Sequence, residues 1–214
     1  MSLKIKICGM REPENILEVA ELKPDLMGFI FYPSSPRYAS KISDPEIVAR
    51  FPPHIIKTGV FVNTDFEVIT GTYRKYSLDI VQLHGNETPD ACRRLKETGI
   101  PVIKAFNIKK STGFKLCSEF ISYTDYFLFD ASTSGFGGSG HKFDWKLLDK
   151  YNLEHPFFLS GGISPKDVDN ILKISNPAFY GIDLNSRFEV SPGLKNIETL
   201  KKFISEIRLY NKSL

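Results

Sequence analysis

Leu3-Lys4-Ile5-Lys6-Ile7-Cys8 alternates apolar and polar residues with a period of two, the pattern of a strand with one apolar face. The alternation stops at Cys8-Gly9, and a helix pattern starts near Pro13, a residue suited to a first helical turn. The same strand-then-helix order recurs to the end of the chain. Further strands are predicted over Leu26–Phe31, Ile55–Val62, Leu78–Leu83, Pro101–Phe106, Tyr126–Asp130, Pro156–Ser160 and Ala178–Leu184. Helical periodicity falls between them, over Glu14–Leu22, Asp44–Phe51, Asp65–Tyr76, Pro89–Glu97, Thr112–Ile121, Trp145–Lys150 and Pro165–Ile174, and a last helix over Ile197–Leu209 closes the series. Asp44-Pro45 and Ser164-Pro165 read as an N-cap followed by proline at the first helical position, and Gly99 as a C-terminal stop.

Eight strands alternating with helices imply a parallel sheet, and eight is the number at which such a sheet closes. The repeat of about 27 residues is compact against the ~250 residues usual for this architecture. An open doubly wound sheet is the competing arrangement, but no Gly-x-Gly-x-x-Gly follows the first strand. With no linker or low-complexity stretch to divide the chain, the expectation is one α/β domain over 1–214. It is a single (β/α)8 TIM barrel with a closed parallel sheet, whose active face is built from the loops after the strands.

Composition narrows the function rather than the fold. At 214 residues, 42% hydrophobic and 25% charged, the chain can bury a real core. Its net charge of +3 is spread along the sequence, so it leaves no nucleic-acid footprint. Cys8, Cys92 and Cys117 are an odd number without metal-type spacing, which points to a reduced, intracellular protein. No signal peptide precedes the first strand, and no stretch approaches a membrane-spanning length, so the cytoplasm is the expected compartment.

The candidate chemistry lies at the carboxyl ends of the strands. Cys8 shares a strand face with Lys4 and Lys6, and Lys6 lies roughly 7 Å away along the strand. A nearby ammonium favours thiolate, so Cys8 is expected to act as a base near neutral pH, unless it is a buried core cysteine. Asp130 follows four hydrophobic residues and is either a strand-end cap or a site acid whose pKa desolvation can raise. Three loops rich in small residues then follow in succession. They are Ser132–Gly140, with four glycines; Ser160-Gly161-Gly162, which leads into a helix N-terminus; and Asp183-Leu184-Asn185-Ser186. Together they suit a phosphate, which this architecture commonly grips after its seventh and eighth strands.

Other positions are more open. Pro33 and Pro36 stiffen the loop that presents Arg37, which can receive a carboxylate in bidentate fashion or simply lie in solvent. Gln82 and His84 share a strand face, and His84 is either a ligand contact or a hydrogen-bonded structural histidine. Lys104 lies inside an apolar strand and needs either a carboxylate partner or the substrate. The four histidines show no ligand spacing, so no metal is expected.

Taken in order, Lys6-Ile7-Cys8-Gly9, Ser35-Pro36-Arg37, Val81-Gln82-Leu83-His84-Gly85, Asp130, Gly137-Gly138-Ser139-Gly140 with Phe143-Asp144-Trp145, Ser160-Gly161-Gly162 and Asp183 resemble the phosphoribosylanthranilate isomerase family of tryptophan biosynthesis. The resemblance covers nearly the whole chain. It implies a ribulose-phosphate-binding (β/α)8 barrel that needs no metal or cofactor and performs an Amadori rearrangement of an aminoaldose phosphate to an aminoketose phosphate. It assigns Cys8 as base, Asp130 as acid and Arg37 to the anthranilate carboxylate. The phosphate falls to the loops holding Gly138, Ser139 and Gly140, Gly161 and Gly162, and Asn185 and Ser186, with His84 and Asp183 at pocket positions. The partner it implies is a small phosphorylated substrate, with neither nucleic acid nor membrane, for a monomer or homodimer. Phe51, Phe136 and Phe188 are apolar residues available to pack in a dimer or to line loops.

The chain departs from the family where Asp-x-Ser-Ser-Gly-x-Glu is usual: here Asn185 stands for a hydroxyl residue and Arg187 for the glycine, so the local turn is expected to differ. Asn196 replaces a common acidic helix start and caps equally well. The rival readings are another phosphate-binding barrel, such as an indole-glycerol phosphate synthase or the sugar-phosphate isomerase of histidine synthesis, and a catalytically silent barrel.

Overall fold

A computed structural model describes residues 2–39, 42, 45–49, 51–108, 113–130 and 145–211. Eight parallel strands close into a barrel in sequence order: β1 (Lys4–Cys8), β2 (Leu26–Ile30), β3 (Ile56–Phe61), β4 (Ile80–Leu83), β5 (Val102–Asn107), β6 (Tyr126–Asp130), β7 (Phe157–Ser160) and β8 (Phe179–Leu184). The ring is completed by β1 against β8, with Lys6 opposite Asp183. Each predicted strand is present, trimmed by one or two residues at some ends. Because side chains alternate, Ile5, Ile7, Met27, Phe29, Phe127 and Phe129 leave the barrel to form the main core under the helices. A second, smaller cluster fills the barrel itself, from Leu26, Ile80, Ile103, Ala105, Leu128 and Phe158.

The helical layer holds α1 (Pro13–Glu21), α2 (Glu46–Ala49), α3 (Phe66–Lys75), α4 (Pro89–Glu97), α5 (Phe114–Cys117), α6 (Val168–Leu172) and α7 (Ile197–Asn211). Several expected helices are shorter or tighter than the periodicity suggests. Trp145–Lys150 is a 3-10 segment, and α5 gives way to another at Ser118–Tyr123. Short segments recover too few i→i−4 bonds to offset the cost of nucleation, and the tighter turn wins. The Ser164 cap is borne out: Ser164 and Asp167 form a capping box over a 3-10 turn at Pro165–Asp167. Gly99 turns the chain at φ +82° after α4, and Asn196 Oδ1 accepts from Thr199 N at the start of α7. Asp44 lies outside the described residues.

Two expectations are corrected. Phe51 and Phe188 are buried in the core rather than available to a dimer, Phe188 edge-on to Phe203 of α7; Phe136 lies outside the described residues. A hairpin absent from the sequence reading follows β8: β9 (Glu189–Ser191) pairs antiparallel with β10 (Leu194–Lys195) around Pro192-Gly193, where Gly193 takes φ +85°. Its strands are below the length at which alternation is detectable, although the Pro-Gly turn was a signal.

Lys104 finds its carboxylate outside the barrel mouth. Its Nζ lies 2.9 Å from Glu87 Oε2 and 2.8 Å from the Gly85 carbonyl, and both side chains are buried. Glu87 in turn accepts from the backbone N–H groups of Asn63 and Gly85, which ties the loops after β3 and β4 together. Lys104→Met strands that carboxylate, so urea unfolding should show a loss of about 3–5 kcal/mol. A loss below about 1 kcal/mol would mean that the pair contributes no more than a surface one.

Candidate active site

A cleft of about 740 Å3, open to solvent, lies at the carboxyl end of the barrel and is lined by Cys8, His84, Asp130, Gly162, Asp183 and Ser186, among others. Cys8 ends β1 and is 3% exposed. Lys6, two residues earlier on the same face, is fully buried with Nζ 2.8 Å from Asp183 Oδ1, and Ser160 Oγ donates to the other carboxylate oxygen at 3.3 Å. Burial works against the Lys6 ammonium, but Asp183 and the Cys8 sulfur outweigh it and hold the group above the ordinary lysine range. For Cys8 the balance falls the other way. Burial is the largest influence and raises the thiol above its usual range, although Lys6 and Lys195 pull it down. The expectation of a thiol poised near neutrality by Lys6 is therefore corrected: Lys6 hydrogen-bonds the sulfur as well as Asp183, and desolvation still outweighs it.

Gly28 of β2 faces both groups. A Cβ there would stand 2.7 Å from Cys8 Sγ and 3.2 Å from Lys6 Nζ. Gly28→Ala should therefore displace the sulfur, cost about 1–3 kcal/mol by overpacking, and reduce turnover. Thermal unfolding and steady-state rates check it, and an alanine variant of wild-type stability would show that the neighbours yield freely.

Asp130 ends β6, three strands around the ring from Cys8, and is buried. His84 Nε2 lies 3.1 Å from Asp130 Oδ2, and His84 Nδ1 lies 2.8 Å from Gln82 Nε2. An amide N–H can only donate, so Nδ1 is assigned as acceptor and Nε2–H as donor to the carboxylate. His84 thus orients Asp130, which combines the two roles left open for it: a structural histidine that also lines the cleft.

Arg37 has its own carboxylate. Its Nε donates to both oxygens of Glu189, at 2.9 and 3.0 Å, and Nη2 to Oε2 at 2.7 Å. The surface alternative for Arg37 is thereby removed: Glu189 holds its guanidinium, and the side chain is only 11% exposed. Burial pushes the Glu189 carboxyl up, but Arg37 and Lys195 prevail and hold it below the usual range. Lys195, fully buried, donates to Glu189 Oε1 at 2.7 Å and to Asn185 Oδ1 at 2.8 Å. Sequence reading did not single out Glu189 or Lys195; the only signal was the acidic end of the motif after β8. Both act from the unrecognised hairpin.

Gly161 and Gly162 follow β7 with φ +89° and +68°, a left-handed pair lining the cleft beside Asn185 and Ser186. The turn at 186–188 is a 3-10 segment, and Arg187 is not among the residues of positive φ, so no glycine is needed there. Gly138, Ser139 and Gly140 lie outside the described residues. Among the described residues no three His, Cys, Asp or Glu side chains are grouped to hold a metal ion, and no helix is long and apolar enough to cross a membrane.

The family model for N-(5'-phosphoribosyl)anthranilate isomerase matches residues 5–206. The N-(5'-phosphoribosyl)anthranilate isomerase of Parabacteroides distasonis is 46% identical over 206 residues, 95% of this chain and 92% of that protein. The crystal structure of phosphoribosylanthranilate isomerase from Thermotoga maritima, a protein also described as dimeric, superposes with TM-score 0.84 at 33% identity. That match covers 96% of this chain and 98% of the other. A further isomerase structure, 31% identical with TM-score 0.81 over 96% of this chain and 98% of its own, holds reduced 1-(o-carboxyphenylamino)-1-deoxyribulose 5-phosphate. These matches do not favour the sister-barrel or silent-barrel readings, and the chain belongs to the N-(5'-phosphoribosyl)anthranilate isomerase family, aldose–ketose isomerases of tryptophan biosynthesis.

Proposed function

We propose that Cys8 is the general base and Asp130 the general acid for the rearrangement of phosphoribosylanthranilate to 1-(2-carboxyphenylamino)-1-deoxyribulose 5-phosphate. The observation that carries the assignment is that these two groups, from β1 and β6, line one cleft. Asp130 gives its proton to the ribose ring oxygen; the C1–O bond breaks, and the nitrogen lone pair forms the protonated Schiff base. That cation acidifies the C2 proton, which the Cys8 thiolate removes, and the electron pair moves into the C1–C2 bond to give the enolamine. Tautomerisation, with a proton delivered to C1, leaves the ketone. Each transfer is worth roughly 10²–10⁴-fold.

The remaining residues bind. Arg37, already aligned by Glu189, takes the anthranilate carboxylate. The backbone at Gly161 and Gly162, with Asn185 and Ser186, takes the phosphate, together with Gly138, Ser139 and Gly140 from outside the described residues. Lys195 fixes the Asn185 amide by accepting no bond and donating to Oδ1, so the amide nitrogen is the group left to donate. His84 and Asp183 shape the pocket without transferring protons. The reduced ketose phosphate held by the solved relative is the proposed tight-binding analogue. A cytoplasmic location accords with three free cysteines, and a monomer or homodimer is the proposed assembly.

The test is loss of substrate fluorescence on adding purified protein to phosphoribosylanthranilate generated in place, with EDTA present throughout. Rapid conversion to the ketose is expected. A folded protein that leaves the substrate unchanged refutes the proposal.

A further inference from the structure

Two cations reach the surroundings of Cys8, and only one of them lies on its own strand. Lys6 comes from β1, yet its Nζ is already 2.8 Å from the Asp183 carboxylate of β8. The second is Lys195 of β10, whose fully buried side chain reaches Asn185 Oδ1 and Glu189 Oε1. That amide oxygen sits against Gly9, the residue after Cys8: a Cβ on Gly9 would stand 2.7 Å from it and 2.7 Å from Arg37 Cδ. The charged groups facing the sulfur are therefore Lys6 on its own strand, Asp183 from β8 and Lys195 from β10, with Arg37 beside Gly9 and Asp130 and His84 across the cleft.

One carboxylate, Glu189, serves two cations, Arg37 and Lys195. Lys6 is matched by Asp183, whereas Arg37 and Lys195 share the Glu189 carboxylate, so that cluster carries one positive charge in excess among the described residues. A hairpin could be anchored by an apolar residue at lower desolvation cost than a buried ammonium. Lys195 holds the Asn185 amide that packs against Gly9, the residue after Cys8, and that position gives the cost a function.

We infer that Lys195 is a positioning residue for the isomerisation, its buried ammonium adding to that of Lys6, which is shared between the sulfur and Asp183, in stabilising the Cys8 thiolate. The inference rests on Cys8 being the base. It differs from any binding role, because Lys195 acts on the enzyme's own sulfur through the field of its charge.

The experiment follows iodoacetamide alkylation of Cys8 against pH in the full chain, with the adduct located by mass spectrometry, alongside turnover at neutral pH. The located adduct separates Cys8, which lines the cleft, from Cys92 and Cys117, which have no exposed surface. In Lys195→Met the alkylation midpoint should rise by about one pH unit or more, and turnover should fall about tenfold as the thiolate fraction drops. Lys195→Arg should keep both near wild type. Turnover lost with the midpoint unmoved overturns the inference and makes Lys195 a structural anchor. A moved midpoint with turnover unchanged overturns the reading of Cys8 as base, and the inference with it. If Lys195→Met does not fold, the double variant Lys195→Gln/Glu189→Gln removes ammonium and carboxylate together. The same rise in midpoint is expected there, and its absence overturns the inference.

Discussion

Replacing Cys8 by alanine is expected to lower kcat by at least ~10²-fold while leaving the affinity for the reduced ketose phosphate within a few-fold of wild type. The asymmetry follows from what surrounds the sulfur. Lys6 cannot take over as base, because its ammonium remains paired with the Asp183 carboxylate at 2.8 Å. Asp183 is bound by Lys6 on one oxygen and Ser160 on the other. Among the described residues, neither of these neighbours is then free to accept the C2 proton. The proposed phosphate and carboxylate contacts come from other loops and should survive. Cys8→Ser should fall about as far, since a hydroxyl keeps the shape but ionises far less readily than a thiol. Single-turnover rates with calorimetric binding make the measurement. A Cys8→Ala enzyme within about tenfold of the wild-type rate would remove Cys8 from the mechanism.

Asp130→Asn is the second large effect, and it isolates the proton from the shape. The amide fills the same volume at the end of β6 and still meets His84, whose Nε2 lies 3.1 Å from the carboxylate. Stability should therefore change little, and kcat should fall by at least ~10²-fold because the side chain no longer has an acidic proton for the ring oxygen. His84 does not replace it, since its ring is held by Gln82 on one side and turned towards Asp130 on the other. A substrate analogue that is already ring-opened bypasses the acid step, so the Asp130→Asn defect should shrink on it while the Cys8→Ala defect persists. Equal defects on both substrates would show that Asp130 does not serve ring opening.

The sequence made the barrel legible because parallel strands buried on both faces read as short apolar runs, and helical stretches separate all eight of them. Cys8 and Asp130 were legible for the same reason: each is a chemically capable residue at the end of such a run. Other features lacked that contrast. Trp145–Lys150 has helical spacing but is too short to sustain an α-helix, and the β9–β10 hairpin has only three and two residues in its strands. Glu189 and Lys195 consequently passed as ordinary charged residues of a loop. Phe51 and Phe188 looked available because nothing local says which way a loop phenylalanine turns.

The order of strands, the closure and the face that carries the chemistry were thus determined by the sequence alone, since each rests on local period and on the handed geometry of strand–helix units. The tertiary structure decided the electrostatics. Lys6 meets Asp183 across 177 positions of sequence, and Arg37 meets Glu189 across 152. Those pairings set whether an ammonium is free to favour the thiolate and whether a guanidinium reaches a substrate alone or already aligned. Ionisation depends on burial and on charges within a few ångströms, and closing the barrel is what brings these distant charges together.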